Sequence, residues 1–479
     1  MKTADPSARW LHDFEVDEPT CRRVLDAALE RGADRADLYF QRVAQTSLSL
    51  EDGIVSRAST AVDRGVGIRS VLGDQTGFAY CEDLTEAPMR AAARAAATIA
   101  SGPASAAARG VGVPIGGRGL YPVDRGWPDV ELGAKLAIVR SVEERLRSAD
   151  ARIAKVSVSW VDSDEYVALV ADDGRAASDR RPMAVLRASV TLVDGANVES
   201  NFWSLATRNG LEWFEESRLD AFAKDLIART SILFEARRPP AGEMPVVLAA
   251  GASGILLHEA IGHGLEADAN RKGVSIYANK VGERVAMEEV TVVDSGLHAG
   301  ERGALEVDDE GNASERTVLI QSGVLEGYLH DTISAKHYDV APTGSGRRES
   351  FRHVPLPRMR CTYMESGTAE PADVIASVKN GILAENFANG QVQIGAGDFT
   401  FFVKNGWLIE DGKVTAPIKD VNIIGNGPEA LSRITMVAND SKLDTGGWTC
   451  GKAGQSVPVS QGMPTSLVSS LTVGGTNAQ

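Results

Sequence analysis

Cysteine is scarce in this chain, and Cys21, Cys81, Cys361 and Cys450 lie far apart with no paired spacing. That pattern argues against a disulfide framework and leaves thiols available for chemistry. Long apolar runs are also missing. No stretch approaches the roughly 18 uninterrupted apolar residues of a membrane helix, and Met1 to Asp17 lacks the apolar core that a signal peptide needs. A cytoplasmic protein without a membrane segment is the expectation. There is no basic excess: 65 acidic against 50 basic residues give a net charge of −15. Sequence-independent nucleic-acid binding rests on Lys/Arg contacts to phosphate, so this balance disfavours it. Aromatics contribute 6% and histidines number seven. The rest is ordinary for a globular chain, with 43% apolar residues and 48 glycines. At 479 residues the chain exceeds one ordinary domain.

The pattern along the chain divides it into three units, residues 1–102, 119–237 and 241–479. Between Glu51 and Tyr80 short apolar stretches alternate with Gly-bearing turns, which predicts antiparallel hairpins. An Ala/Arg-rich helix is expected over Thr85 to Ala100, closed by Gly102 and Pro103. The Gly/Ala/Pro-rich residues 101–118 form the first linker. The second unit opens at Trp127 and Pro128 with an amphipathic helix. Strand-like runs follow at Ile153 to Val161, Glu165 to Val170 and Ala184 to Val193, and then a helix over Leu219 to Ala236. Arg237-Arg238-Pro239-Pro240 breaks that pattern. The third unit reads as strands, with turns at Ser322-Gly323 and Asn405-Gly406 and helical insertions near 372–384 and 428–436. The fold class is therefore α+β and multi-domain: sheet-plus-helix units come first, then a large antiparallel β-rich unit.

Chemistry concentrates in ASGILLHEAIGHGLEAD, which follows the apolar run VVLAAG. Ser253 is placed to cap a helix bearing His258 and Glu259. Two of the seven histidines fall within six positions with a glutamate between them. Ligands at i and i+4 differ by about 40° around a helix and share a face, but the spacing here is i and i+5, about 140° apart. Gly262 and Gly264 flank His263 and offer a remedy: the helix can end there, or insert a π-bulge. A catalytic Zn²⁺ needs a third protein ligand. Cys450, in the glycine-rich DTGGWTCGKAGQ, is the best candidate, with Glu266, Asp268, His298 and His330 as weaker ones. In such a site the metal activates water and Glu259 accepts its proton, which gives amide hydrolysis. GASG at 251 lacks the spacing of a serine nucleophile elbow, and GVG at 65 is too short for a phosphate loop.

LLHEAIGHGLEADANRKG at 256, VGERVA at 281, RRESFRHVPLPRMRCTYM at 347 and GGWTCGKAGQSVPVSQGMPTSLVSSLTVGGT at 446 together resemble the TldD branch of the TldD/PmbA family. EDGIVS at 51 and GVGIRSVLGDQTGFAY at 65 agree with it, so the resemblance covers nearly the whole chain. It implies a zinc peptidase with His258, His263 and Cys450 as ligands and Glu259 as catalytic acid/base. It further implies pairing with a related, motif-lacking TldE/PmbA-like subunit around a cavity for unfolded peptides, with a homodimer as the other arrangement. The roles implied are leader-peptide trimming and clearance of small unfolded proteins. The family's older name implies a different reading, a non-catalytic binding subunit or DNA-topoisomerase regulator. Cys361 departs from the pattern, standing where a polar residue is expected. Tyr328 and Arg358 are the candidate substrate or oxyanion contacts.

Overall fold

The computed structural model describes residues 11–104 and 107–475. Residues 1–10, which hold most of the stretch read for a signal peptide, lie outside the described residues, as do 105–106 in the first linker and 476–479.

Helix α1 (Glu18–Leu29) starts at Asp17, whose side chain accepts from the Thr20 amide, with Pro19 in its first turn. Strands β1 (Arg35–Glu51), β2 (Ile54–Leu72) and β3 (Gln75–Cys81) then form consecutive hairpins, and α2 (Glu86–Ala97) follows. After the linker come α3 (Leu132–Ala149), β4 (Ile153–Ala171), β5 (Ala176–Asp194), β6 (Asn197–Thr207) and α4 (Glu216–Ser231). The two strand-like runs expected after Ile153 are a single strand, β4. All six strands make one antiparallel sheet in the order β3-β2-β1-β4-β5-β6, so β1 pairs with both β2 and β4 across the linker.

Alternation along β1 separates the two faces of this sheet. Leu38, Phe40, Leu48 and Leu50 point to the helices: α1 and α2 cover one half of that face, α3 and α4 the other. Tyr39 points the opposite way, with Val167 and Leu169, against Val307 and Phe351 of the C-terminal unit. Gly65, part of the GVG singled out in the sequence, lies inside β2. A Cβ there would sit 2.2 Å from the Phe351 ring, so the glycine makes room for packing. The same face carries buried ion pairs to the C-terminal unit, Arg69 with Glu310 at 2.6 Å and Arg181 with Asp309 at 2.7 Å.

In the C-terminal unit, β7 (Gly242–Leu248) pairs with strands Asn380–Gln393 and Ser466–Gly475. Through Val421–Asn426 and Asp398–Glu410 the ladder returns to Asn380–Gln393, closing a ring of strands. A second, six-stranded sheet contains Val292–Ser295, Cys361–Met364 and Ser460–Met463. The expected turn at Ser322-Gly323 is present, with φ of 46° and 80°. Asn405-Gly406 is not a turn. It lies within Asp398–Glu410, and the chain reverses at Asp411-Gly412, where φ is 49° and 73°. The helical insertions are shorter than expected, Pro371–Ala376 and Gly427–Ser432, because the residues after each are drawn into strands. Helix content thus yields to tertiary pairing.

Candidate metal centre and its family

Beyond β7 the chain turns at Gly251, with φ of 89°, into a continuous but non-uniform helical stretch. A 3₁₀ turn, Ala252–Gly254, is followed by one α turn, Ile255–Leu257, a π turn, His258–Gly262, and a last 3₁₀ turn, His263–Leu265. Leu256, Leu257, Ile261 and Leu265 anchor it in the main core, in contact with strands of both C-terminal sheets. Ser253 lies inside the first 3₁₀ turn and its Oγ has no hydrogen-bond partner among the described residues, so it is not the cap expected of it.

The π turn resolves the spacing problem. The amide of His263 bonds to the carbonyl of His258, five residues back, so one extra residue is absorbed and the two imidazoles come to one side. Their ring centroids are 5.1 Å apart at an interplanar angle of 87°. Gly262 takes ordinary helical angles, φ −55° and ψ −53°, so its role is steric: a Cβ there would sit 2.0 Å from Met359 Sδ. A Cβ on Gly264 would meet the Tyr277 ring at 2.8 Å.

Cys450 arrives from the hairpin Thr449–Lys452 and Gln455–Pro458, paired with Val457 and reversed at Ala453-Gly454. Not all its glycines serve close approach. Gly446 lies against Asp444, but Gly451 faces open space. His258, His263 and Cys450 are all buried, and their ligand atoms lie within 4.8 Å of one another. Cys450 Sγ is 3.5 Å from His263 Nε2. All four cysteines are free thiols.

Behind this cluster stands a charged support that the motif did not single out. Glu266 Oε2 is 3.0 Å from His263 Nδ1 and 3.1 Å from Lys452 Nζ, which also meets Asp268 at 2.6 Å. Glu266 thus orients an imidazole and does not join the cluster. The sequence offered it only as a weaker candidate for the third ligand, three residues after His263. His298 packs on Tyr363 and His330 on Tyr338, away from the cluster. Burial alone would raise the Cys450 thiol, but the imidazoles of His258 and His263 outweigh it and hold the thiol well below its ordinary range. Burial likewise works against a charged His263, and the Glu266 carboxylate reverses the sign, raising its proton affinity. Glu259 is half-buried, and burial pushes its carboxyl up against the pull of the same two imidazoles. It makes no hydrogen bond or ion pair among the described residues. Its Cγ lies 3.3 Å from where a Cβ on Gly390 would stand.

The two candidate substrate contacts are closed off. Tyr328 is 2% exposed and donates its hydroxyl to the Tyr277 carbonyl. Arg358 is fully buried, with Nη2 donating to the Cys450 carbonyl at 2.5 Å. It braces the cysteine hairpin from behind and has no surface to offer a substrate. Cys361 is buried in strand Cys361–Met364 and is not one of the three clustered ligand candidates.

Two imidazoles and one thiol form a donor set suited to a borderline-soft divalent ion with a coordination position to spare. The comparisons with known proteins agree with that class of site. Profiles of the PmbA/TldA metallopeptidase match in three parts: domain 1 over residues 36–100, the central domain over 125–234 and the C-terminal domain over 241–475. A metalloprotease TldD homolog of Haemophilus influenzae is 42% identical over 96% of each chain. A solved Thermotoga maritima structure, described as a candidate modulator of a DNA gyrase, shares the fold at a TM-score of 0.78 and 21% identity, covering 95% of this chain and all of that one. TldE of Thermococcus kodakarensis does so at 0.73 and 20%, with the same coverage. The chain belongs to the TldD/PmbA family and is a metallopeptidase.

Proposed function

We propose that the chain is a zinc metallopeptidase acting on unfolded or unstructured peptides, with His258, His263 and Cys450 as ligands and Glu259 as general base. One observation carries the reading: two imidazoles and a thiol converge beside a carboxylate that has no partner among the described residues. A bound Zn²⁺ supplies Lewis acidity, polarising the scissile carbonyl and acidifying water. The chain's own residues do the rest. Glu259 takes a proton from the attacking water and passes it to the leaving amine, a dual task that suits a carboxyl with raised proton affinity. Glu266 holds His263 in one orientation.

The family supports the finer parts of the proposal: pairing with a motif-lacking TldE/PmbA-like subunit or a second copy, a cytoplasmic site of action, leader-peptide trimming and clearance of small unfolded proteins. An extended substrate would be gripped through its backbone along a sheet edge. The rival reading, a binding-only subunit or DNA-topoisomerase regulator, leaves the unpaired Glu259 without a task. The test is to co-express the chain with its motif-lacking relative, measure zinc per chain and follow cleavage of an unstructured peptide. Glu259→Ala is expected to keep the zinc and lose cleavage, and Cys450→Ala to lose the zinc. Cleavage undiminished in the first variant removes Glu259 from the mechanism, and full zinc in the second removes the third ligand.

A further inference from the structure

A pocket of about 250 Å³ lies between β6, strands Asn380–Gln393 and Asp398–Glu410, and the loop that leads into Cys450. Arg187, Arg229, Lys404, Trp203, Trp448 and Asn201 line it, and none of its lining residues is acidic. In a chain of net charge −15, three cations lining one pocket with no carboxylate among the lining residues need a reason. None of the three forms an ion pair with any described residue. Arg229 Nη1 is buried without a hydrogen-bond partner among the described residues, and its Cζ lies over Trp203, 3.9 Å from the ring centre. Burial depresses the Arg229 pKa despite the pull of Asp225, Asp444 and Glu385. Arg302, behind the loop, donates to the Trp448 carbonyl and the Thr449 hydroxyl. Its pKa is pushed down by burial and by repulsion from Arg208, Arg347 and Arg187.

The pocket also adjoins the chemistry. Thr449 lines it and Cys450 is the next residue. Ala388 lines it two residues before Gly390, the backbone that flanks Glu259. An unpaired, partly desolvated guanidinium is a costly group unless an anion completes it. We propose that this pocket receives a carboxylate of the peptide substrate, from an acidic side chain or from the chain's C-terminus, near the scissile bond. This deepens the peptidase reading and rests on it.

Binding can be read without turnover. The full-length zinc-loaded chain bearing Glu259→Gln is titrated against four fluorescent unstructured peptides, with Glu or Gln at one position and a free or amidated C-terminus. Peptides with the recognised carboxylate should bind about tenfold tighter, less so as salt screens the attraction. The Glu/Gln arm reports a side-chain carboxylate and the free/amidated arm a terminal one. Combining Arg187→Gln with Lys404→Gln, both away from the packed core, should abolish the difference among the four peptides. Arg229→Gln should act likewise, with its fold checked by thermal melting because the side chain packs on Trp203. Equal affinity for all four peptides overturns the proposal, as does a variant that weakens all four alike. Should the wild-type chain still cleave them, the peptidase reading stands and the pocket's role falls. Should carboxylate peptides bind selectively and never be cleaved, the reverse holds.

Discussion

Glu266 shows how much of the candidate metal centre lies outside its three candidate ligands. Its carboxylate is fully buried, which would be costly for a lone charge, yet Lys452 and His263 hold it ionised, with a pKa of about 2. The bond to His263 Nδ1 fixes the ring so that Nε2 faces Cys450. Glu266→Gln should therefore lower zinc affinity roughly 10- to 100-fold while leaving the ligand set intact. Competition against a calibrated chelator measures this, and an unchanged affinity would reduce Glu266 to a packing group. Arg358 acts one bond further away, through the Cys450 carbonyl. Lys at this position would lose the fork that reaches both Cys450 and Gln455, and its zinc affinity should fall less than that of Cys450→Ala.

The composite helix over residues 252–265 owes its irregularity to what presses on it. A Cβ on Gly254 would stand 2.3 Å from the Gly462 amide nitrogen and 2.6 Å from its Cα, both backbone atoms of a packed strand. Neither can rotate away, so Gly254→Ala must shift the helix or the strand. We expect a loss of about 1–3 kcal/mol in stability, read from denaturant midpoints, together with weaker zinc binding because His258 follows one turn later. Gly262→Ala meets Met359 Sδ, at the end of a flexible side chain, and should cost less. The same melts compare the two variants, and the opposite order would mean that Met359 yields less readily than the backbone at Gly462.

Across the whole molecule, the N-terminal sheet and the C-terminal unit are joined by charge as well as by the Tyr39–Phe351 packing. Arg69 bridges Asp37 of β1 and Glu310 of the C-terminal unit, and all three side chains are nearly or fully buried. Arg69→Ala removes the closest cation from two buried carboxylates, leaving Asp37 with Arg348 at 3.6 Å and Glu310 with the Thr332 amide and hydroxyl, and should cost about 3–5 kcal/mol. In calorimetry the first six strands should then melt ahead of the rest, whereas a single unshifted transition would mean that the units are held by apolar contact alone. By itself the sequence determined the candidate ligand types and their odd spacing, the α+β class and most helices, since periodicity and glycine placement are local properties. It misread Asn405-Gly406 and the helix after 372, where pairing in the closed ring outweighed local preference. It also offered Tyr328 and Arg358 to the substrate, because burial has no signature in a single residue. Only the tertiary structure decided that a π turn aligns His263, that Glu266 and Arg358 stand behind the candidate ligands, and that three cations without an ion pair among the described residues line one pocket with Thr449. Each of those joins residues far apart in the chain or depends on packing around them, and neither is written in spacing.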